Sequence, residues 1–249
     1  MFPIPVPNQF SIVAHRGASG YAPENTIAAF ELARRMGVNE IELDTWLSAD
    51  GEVVICHDDS LERFGYPDIS ISQTAVPELK QLDMGAHFSP FLYGGQRLVT
   101  LVELCELFGA EITYHVELKG TDLALAAEVN KLIADFGLVD HSIVTSFVPE
   151  MLARMKDLNA DLRLGWLVDS LSEQTIGMSR ELDLFQLNPR ACTVSKDSVR
   201  AAHAAVAEVQ AWELLGSPSR VRELVLQAIE AGCDGVTINW PDWLAHQDV

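Results

Sequence analysis

Short apolar runs rich in β-branched residues alternate along the chain with longer stretches in which apolar positions recur every three to four residues. The first pattern suits strands buried on both faces and the second suits helices with one apolar stripe, so their alternation predicts βα units around a parallel sheet. Strands are expected at Ser11 to His15, Glu40 to Asp44, Thr113 to Glu117, Ile143 to Ser146, Arg163 to Val168, Leu184 to Leu187, Glu208 to Trp212 and Gly235 to Asn239. Helices are expected at Thr26 to Met36, Leu101 to Phe108, Asp122 to Phe136, Pro149 to Leu158, Leu171 to Met178, Lys196 to Ala205 and Ser219 to Ala231. Pro149 suits a first helical turn, and Gly37, Gly137 and Gly232 stand where helices would stop. A chain of 249 residues carrying eight such strands matches the ~250 residues of a closed (β/α)8 TIM barrel. A doubly wound open sheet is the alternative, because periodicity does not give strand order.

The rhythm breaks between Asp44 and Thr113. A turn at Ala49-Asp50-Gly51 leads into an extra strand, Glu52 to His57, and the stretch from Asp59 to Gln96 mixes Gly, Pro and aromatics with one short helix near Val76 to Leu82. This reads as a small insertion after strand 2, approximately residues 59–97, lying over the barrel mouth where active sites of this fold are built. With no internal repeat and no low-complexity linker, residues 1–249 are expected to form a single domain.

Composition changes the picture in three ways. With 48% hydrophobic residues the chain has material for a substantial core. With 17 Lys+Arg against 36 Asp+Glu the formal charge is -19, which repels polyanions and argues against nucleic acid or stable membrane association while weakly favouring cations. Cys56, Cys105, Cys192 and Cys233 lie far apart without CxxC spacing, so they read as reduced thiols rather than as a zinc site or a disulfide framework. The opening MFPIPVPNQF has no basic n-region or continuous apolar stretch, and a cytoplasmic location is expected.

Candidate chemistry gathers at the carboxyl ends of the early strands. His15-Arg16-Gly17 closes the first, Glu42-Leu43-Asp44 the second, His57-Asp58 the added strand, and Glu117-Leu118-Lys119 the third. Period-2 alternation aims Glu42 and Asp44 at the same face, where like charges lose hydration and persist only with a cation, a basic partner or shared protons. A divalent metal resolves this economically, and an all-oxygen set from Glu42, Asp44 and Glu117 suits Mg2+, Ca2+ or Mn2+. His15 and His57 are candidates for general acid and base, while Arg16 and Lys119 with a metal would neutralise a phosphate. Phe147 and Trp212 are candidates for an apolar substrate wall. Asn25 reads equally well as a helix cap, Asp58 as a partner of His57 or a turn residue, His115 as structural, and Cys56 as pointing away from the His57 face.

These residues carry a family resemblance. His15-Arg16-Gly17, Pro23-Glu24-Asn25-Thr26, Glu42-x-Asp44 and His57-Asp58, in that order and at similar spacing, resemble the opening signature of the glycerophosphodiester phosphodiesterases, and the likeness continues more thinly to about residue 243. The resemblance implies an α/β barrel with an insertion after strand 2, and one divalent cation, Mg2+ or Ca2+ with Mn2+ also acceptable, at Glu42, Asp44 and Glu117. It further implies acid–base work by His15 and His57, phosphate binding by Arg16 and Lys119, and hydrolysis of a small-molecule glycerophosphodiester to sn-glycerol 3-phosphate and an alcohol, with attack by a neighbouring hydroxyl favoured. The departures are Leu61-Glu62-Arg63-Phe64-Gly65 where the family usually has Leu-Asp-Arg and threonines, Val99-Thr100-Leu101 for Pro-Thr-Leu, Trp212-Glu213-Leu214-Leu215 for Trp-Thr-Val-Asn, and Ile238-Asn239-Trp240-Pro241 for Thr-Asp-x-Pro. They fall at or beside the mouth, so they bear on the head group. The other readings are a related barrel phosphodiesterase acting on lysophospholipid or inositol phosphodiesters, left open by the apolar stretch Phe88 to Tyr93, and a non-catalytic metal- or phosphate-binding module, which predicts a missing histidine, lysine or ligand where none is missing. A homo-oligomer is compatible with the fold, but no apolar stripe argues for one.

Overall fold

The structure is a computed structural model that describes residues 2–247. Met1, Asp248 and Val249, included in the expected single domain, lie outside the described residues. Among the described residues, parallel strands β1 (Ser11–His15), β2 (Glu40–Leu47), β3 (Thr113–Leu118), β4 (Ser142–Ser146), β5 (Arg163–Val168), β6 (Gln186–Pro189), β7 (Glu208–Ala211) and β8 (Gly235–Ile238) pair in sequence. The ladder between β8 and β1, together with that between β1 and β2, closes the sheet into the expected barrel. The open-sheet alternative is thereby excluded.

Helices α1 (Ile27–Arg35), α2 (Leu101–Phe108), α3 (Leu123–Asp135), α4 (Pro149–Leu158), α5 (Glu173–Glu181), α6 (Lys196–Ala202) and α7 (Pro218–Ala231) alternate with the strands. Ile41 and Leu43 of β2, and Tyr114, Val116 and Leu118 of β3, are buried in the main apolar core, leaving Glu40, Glu42, Asp44, His115 and Glu117 on the opposite face. Fully burying an Ile or Leu side chain is worth ~2 kcal/mol. A one-residue slip would forfeit that and drive the carboxylates under the helices, so the pattern pins the register.

Two elements begin later than expected, and α6 ends at Ala202 rather than Ala205. The sixth strand begins at Gln186 rather than Leu184, because the Leu184 amide still bonds back to Ser179 O at 3.0 Å and the ladder with β5 starts at Gly165 opposite Gln186. The fifth helix begins after Ser172, whose side chain and Thr175 form a reciprocal cap, and so runs later than Leu171 to Met178. Thr100, at the changed Val-Thr-Leu position, likewise caps α2 in a box with Glu103. The pairing of Ile4–Val6 with Leu244–His246 went unforeseen, since prolines interrupt the first of these segments.

The insertion hangs on β2. Beyond the barrel rim, Thr45 to Leu47 pair antiparallel with Val53–Ile55, which in turn pairs with Val99–Thr100. Val54, Cys56, Leu61, Phe64, Ile71, Leu79, Met84 and Leu98 form a small core separate from the main one. The insertion also carries one-turn helices at Val76–Leu79 and Pro90–Tyr93, the second of which was not anticipated.

Candidate active site

After His15 the chain leaves the barrel through two left-handed residues, Arg16 at φ 56 and Gly17 at φ 80. A Cβ on Gly17 would lie 2.6 Å from the backbone carbon of Ala29, so only glycine lets α1 approach this closely. For Arg16 such a conformation costs ~1 kcal/mol, offset by its amide donating to Glu42 Oε2 at 3.0 Å. Asn25, also left-handed at φ 57, donates its backbone N–H to Arg16 O at 3.1 Å and its Nδ2 to Asp44 Oδ2 at 2.8 Å. Thr26, not Asn25, caps α1.

Adjacent strands then bring three carboxylates together. Asp44 lies opposite Glu117 in the β2–β3 ladder, and Glu42, Asp44 and Glu117 each present an oxygen within 4.8 Å of the others. All are buried, Asp44 completely. Burial and the neighbouring Asp44 push Glu42 well above the usual carboxylate range, and the same two causes, opposed by Lys119, raise Glu117 to about 7. Burial would raise Asp44 too, but Arg16, Lys119, His57 and the Asn25 hydrogen bond outweigh it and hold it ionised. Asp44 Oδ1 accepts no hydrogen bond, with only the Lys119 ammonium 3.4 Å away. A buried, unsaturated, all-oxygen set with two carboxyls reluctant to ionise fits a hard divalent cation.

Basic groups flank the set. Arg16 Nε stands 3.1 Å from Asp44 Oδ2 and its Nη1 2.9 Å from Glu24 Oε1, while Lys119 Nζ is 2.8 Å from Glu117 Oε1. Burial disfavours both charges, yet the surrounding carboxylates raise both pKa values, so each cation persists.

The two histidines differ in their partners. His15 Nδ1 donates to Asn239 Oδ1 at 2.6 Å, which leaves Nε2 as the free lone pair, 3.9 Å from Glu42. Burial, then the Arg16 charge, lowers His15 to about 4. His57 Nδ1 meets the Asp58 carboxylate at 2.7 Å, and burial lowers its pKa as well. Asp58 is thus the partner of His57 rather than a bystander in a turn. His115 donates to Glu40 at 3.0 Å inside the barrel, consistent with a structural role. Cys56 is buried in the insertion's core, its thiol pushed up to about 12 by burial, and stays protonated.

A cavity of about 320 Å³ opens among these groups, lined by His15, Arg16, Glu42, His57, Glu117 and Lys119 and also by Phe147, Leu167, Trp212 and Leu214. Every candidate catalytic, metal- or substrate-binding residue lines it except Asp44, which is fully buried. Phe147 meets Trp212 edge-on at 5.2 Å, and the Trp212 indole donates to Val168 O at 3.3 Å. Sequence reasoning gave no role to Arg63 or Asn239, and it placed Glu24 at the site without naming its partners. Each had a signal, since Glu24 lies within the opening motifs, Arg63 keeps the Arg of the family's Leu-Asp-Arg inside a stretch that otherwise departs, and Asn239 replaces the Asp of Thr-Asp-x-Pro.

A barrel whose mouth joins buried carboxylates, fixed cations and paired histidines has the equipment of a phosphoric diester hydrolase. The family profile described as the Glycerophosphoryl diester phosphodiesterase family matches residues 15–243, and the chain belongs to that family. A Bacillus subtilis relative, YhdW, provisionally named a glycerophosphodiester phosphodiesterase, is 30% identical over 94% of this chain and 96% of its own length. A glycerophosphodiester phosphodiesterase of Caldanaerobacter subterraneus is 27% identical over 94% and 96%. Among solved structures, an Oleispira antarctica phosphodiesterase in complex with the product sn-glycerol-3-phosphate superposes with a TM-score of 0.81, at 28% identity, over 93% of this chain and 94% of that one.

Proposed function

We propose that this chain hydrolyses glycerophosphodiesters to sn-glycerol 3-phosphate and an alcohol in a divalent-cation-dependent reaction, working as one domain. The observation that carries the reading is the convergence of Glu42, Asp44 and Glu117 with Arg16, Lys119, His15 and His57 at one cavity. Family membership supports the same reaction.

Glu42, Asp44 and Glu117 would hold Mg2+ or Ca2+, with Mn2+ also fitting the donor set. When bound, the cation supplies positive charge that polarises the phosphoryl group. Arg16 and Lys119 bind the phosphate oxygens and balance charge as it builds on them, and Phe147 and Trp212 give the substrate's carbon atoms an apolar wall. His15, its tautomer set by Asn239, takes the proton of the attacking hydroxyl at Nε2 as the new O–P bond forms. His57, whose imidazolium the Asp58 carboxylate stabilises, protonates the departing alcohol oxygen as the old P–O bond breaks. The attacking oxygen belongs to a neighbouring glycerol hydroxyl, with water opening a cyclic phosphate afterwards, or to water directly.

No helix among the described residues is long and apolar enough to cross a membrane. A cytoplasmic site of action is supported by Cys56, Cys105, Cys192 and Cys233 all being free thiols. A second reading, in which the alcohol carries a lipid chain, is favoured by Phe91 and Leu92, which stand 98% and 79% exposed on the insertion.

The test is release of glycerol 3-phosphate from glycerophosphocholine by purified protein treated with EDTA and then given Mg2+, Ca2+ or Mn2+. Activity abolished by EDTA and restored by one of these is the expected result. Inactivity with every cation on glycerophosphocholine and glycerophosphoethanolamine, alongside turnover of a lysophospholipid, moves the assignment to the second reading. Cation binding has its own pH signature. With Glu117 raised to about 7, the cation must displace a proton below that pH. Because Glu42, another ligand whose pKa burial raises, must lose its proton as well, affinity measured by calorimetry is expected to rise by about tenfold per unit or more from pH 5 to 7. A pH-independent Kd would contradict ligation by Glu117.

A further inference from the structure

We propose that Arg63, an insertion residue, is a positioning residue that holds His57 and Arg16 in one frame. Its Nε lies 2.7 Å from Asp58 Oδ2, and its Nη2 bonds Glu24 Oε1. Asp58 in turn holds His57 Nδ1 through its other oxygen at 2.7 Å, and Glu24 holds Arg16 Nη1 at 2.9 Å. The result is an unbroken chain of alternating charge, Asp44, Arg16, Glu24, Arg63 and Asp58, that ends on the His57 ring. Both ends of it reach groups that the proposed reaction uses, and the inference rests on that functional reading.

The placement of Arg63 is itself determined locally. It lies in a single 3-10 turn, Glu62–Phe64, closed by Gly65 in the left-handed region at φ 93. Its guanidinium carbon sits 4.6 Å from the centre of the Phe64 ring, and Phe64 belongs to the insertion's own small core. Arg63 is therefore where that separate core is tied to the chemistry of the barrel mouth. A planar fork bonds two carboxylates in fixed directions, which an ammonium on a flexible stem does not.

The exposure of the group separates a positioning role from a merely stabilising one. The Arg63 side chain is 35% exposed and that of Asp58 42%. A pair this wet contributes little to folding stability, and the more buried Glu24, 18% exposed, keeps Arg16 as a partner when Arg63 is removed. The orientation of a proton donor and of a phosphate clamp is a different matter, since displacement by about 1 Å costs up to ~100-fold in rate. Arg63→Ala is therefore expected to leave the unfolding transition nearly in place while activity collapses.

The experiment compares wild type, Arg63→Ala, Arg63→Lys, Glu24→Gln and Asp58→Asn for kcat, KM and thermal unfolding on glycerophosphocholine. Arg63→Ala is expected to lower kcat about 10- to 100-fold and to raise KM. Asp58→Asn is expected to act mainly on kcat and Glu24→Gln mainly on KM, so that the two reproduce separately what Arg63→Ala does at once. Because the site is open to water, guanidinium ion at non-denaturing concentration is expected to restore Arg63→Ala several-fold, and Arg63→Lys to remain impaired. Full activity in Arg63→Ala or Arg63→Lys, or no rescue by guanidinium, overturns the proposal. If wild type turns over no glycerophosphodiester, the functional reading fails, and the positioning claim is decided by glycerol 3-phosphate affinity in calorimetry. A several-fold loss in Arg63→Ala sustains it, and unchanged affinity sinks it.

Discussion

Replacement of His57 by alanine is expected to lower kcat on glycerophosphocholine by about 1000-fold, and replacement of His15 by a similar factor, within the range general acid–base groups contribute. The two should be far from additive, because attack and departure are coupled events, and the double variant is expected to be little worse than either single one. The partners of the rings distinguish their roles. Asn239 offers His15 an amide oxygen, which fixes a tautomer without stabilising an imidazolium, whereas Asp58 offers His57 a carboxylate. A glycerophosphodiester of p-nitrophenol separates acid from base, since that alcohol departs as an anion without protonation. On this substrate His57→Ala is expected to regain most of its activity while His15→Ala stays slow. Rescue of His15→Ala instead would reverse the assignment, and activity above a tenth of wild type in both variants would remove the histidines from the chemistry.

The carboxylates give the second large effect, and here neighbouring residues are expected to respond in opposite directions. Asp44 is fully buried between Arg16 and Lys119. Asp44→Asn removes the carboxylate those cations share, leaving Arg16 with Glu24 and Lys119 with Glu117, and is expected to destabilise the cation-free protein by up to roughly 3 kcal/mol, the cost of removing one member of a buried ion pair. Glu42 is in the opposite situation, since burial and Asp44 raise its pKa well above normal. A carboxyl whose folded pKa is raised binds its proton more tightly in the folded state. That difference lowers stability as pH rises above the unfolded value near ~4.3 and continues to do so up to the folded one. Glu42→Gln removes the effect, so it is expected to match wild type near pH 4 and to be more stable at pH 7 in EDTA. Both substitutions are expected to abolish cation binding. Urea unfolding at the two pH values decides this, and a Glu42→Gln protein destabilised at pH 7 as much as Asp44→Asn would show that no such repulsion exists.

The alternation of strand and helix was legible along the chain because burying a strand on both faces demands a continuous apolar run and burying a helix on one demands a stripe. The positions of His15, Glu42, Asp44, Glu117 and Lys119 at strand ends were legible for the same reason, since period 2 decides which side chains share a face. The start of β6 was misplaced because Leu184 and Phe185 are apolar enough for a strand, whereas the ladder begins only where Gln186 finds a partner on β5. Local pattern is blind to that choice, which belongs to a neighbouring strand.

The sequence by itself therefore determined the element order, the inward-facing carboxylates and the family to which this protein belongs. Closure of the sheet, the use of Asn25 as a donor to Asp44 instead of a helix cap, the Asn239 and Asp58 partners of the histidines, and the bridge from Arg63 to both Glu24 and Asp58 were decided only by tertiary structure. Periodicity records burial, which each residue carries in its own side chain. A hydrogen bond between His15 and Asn239 spans nearly the whole chain, and its existence depends on strands meeting around a barrel, a fact written in no single segment.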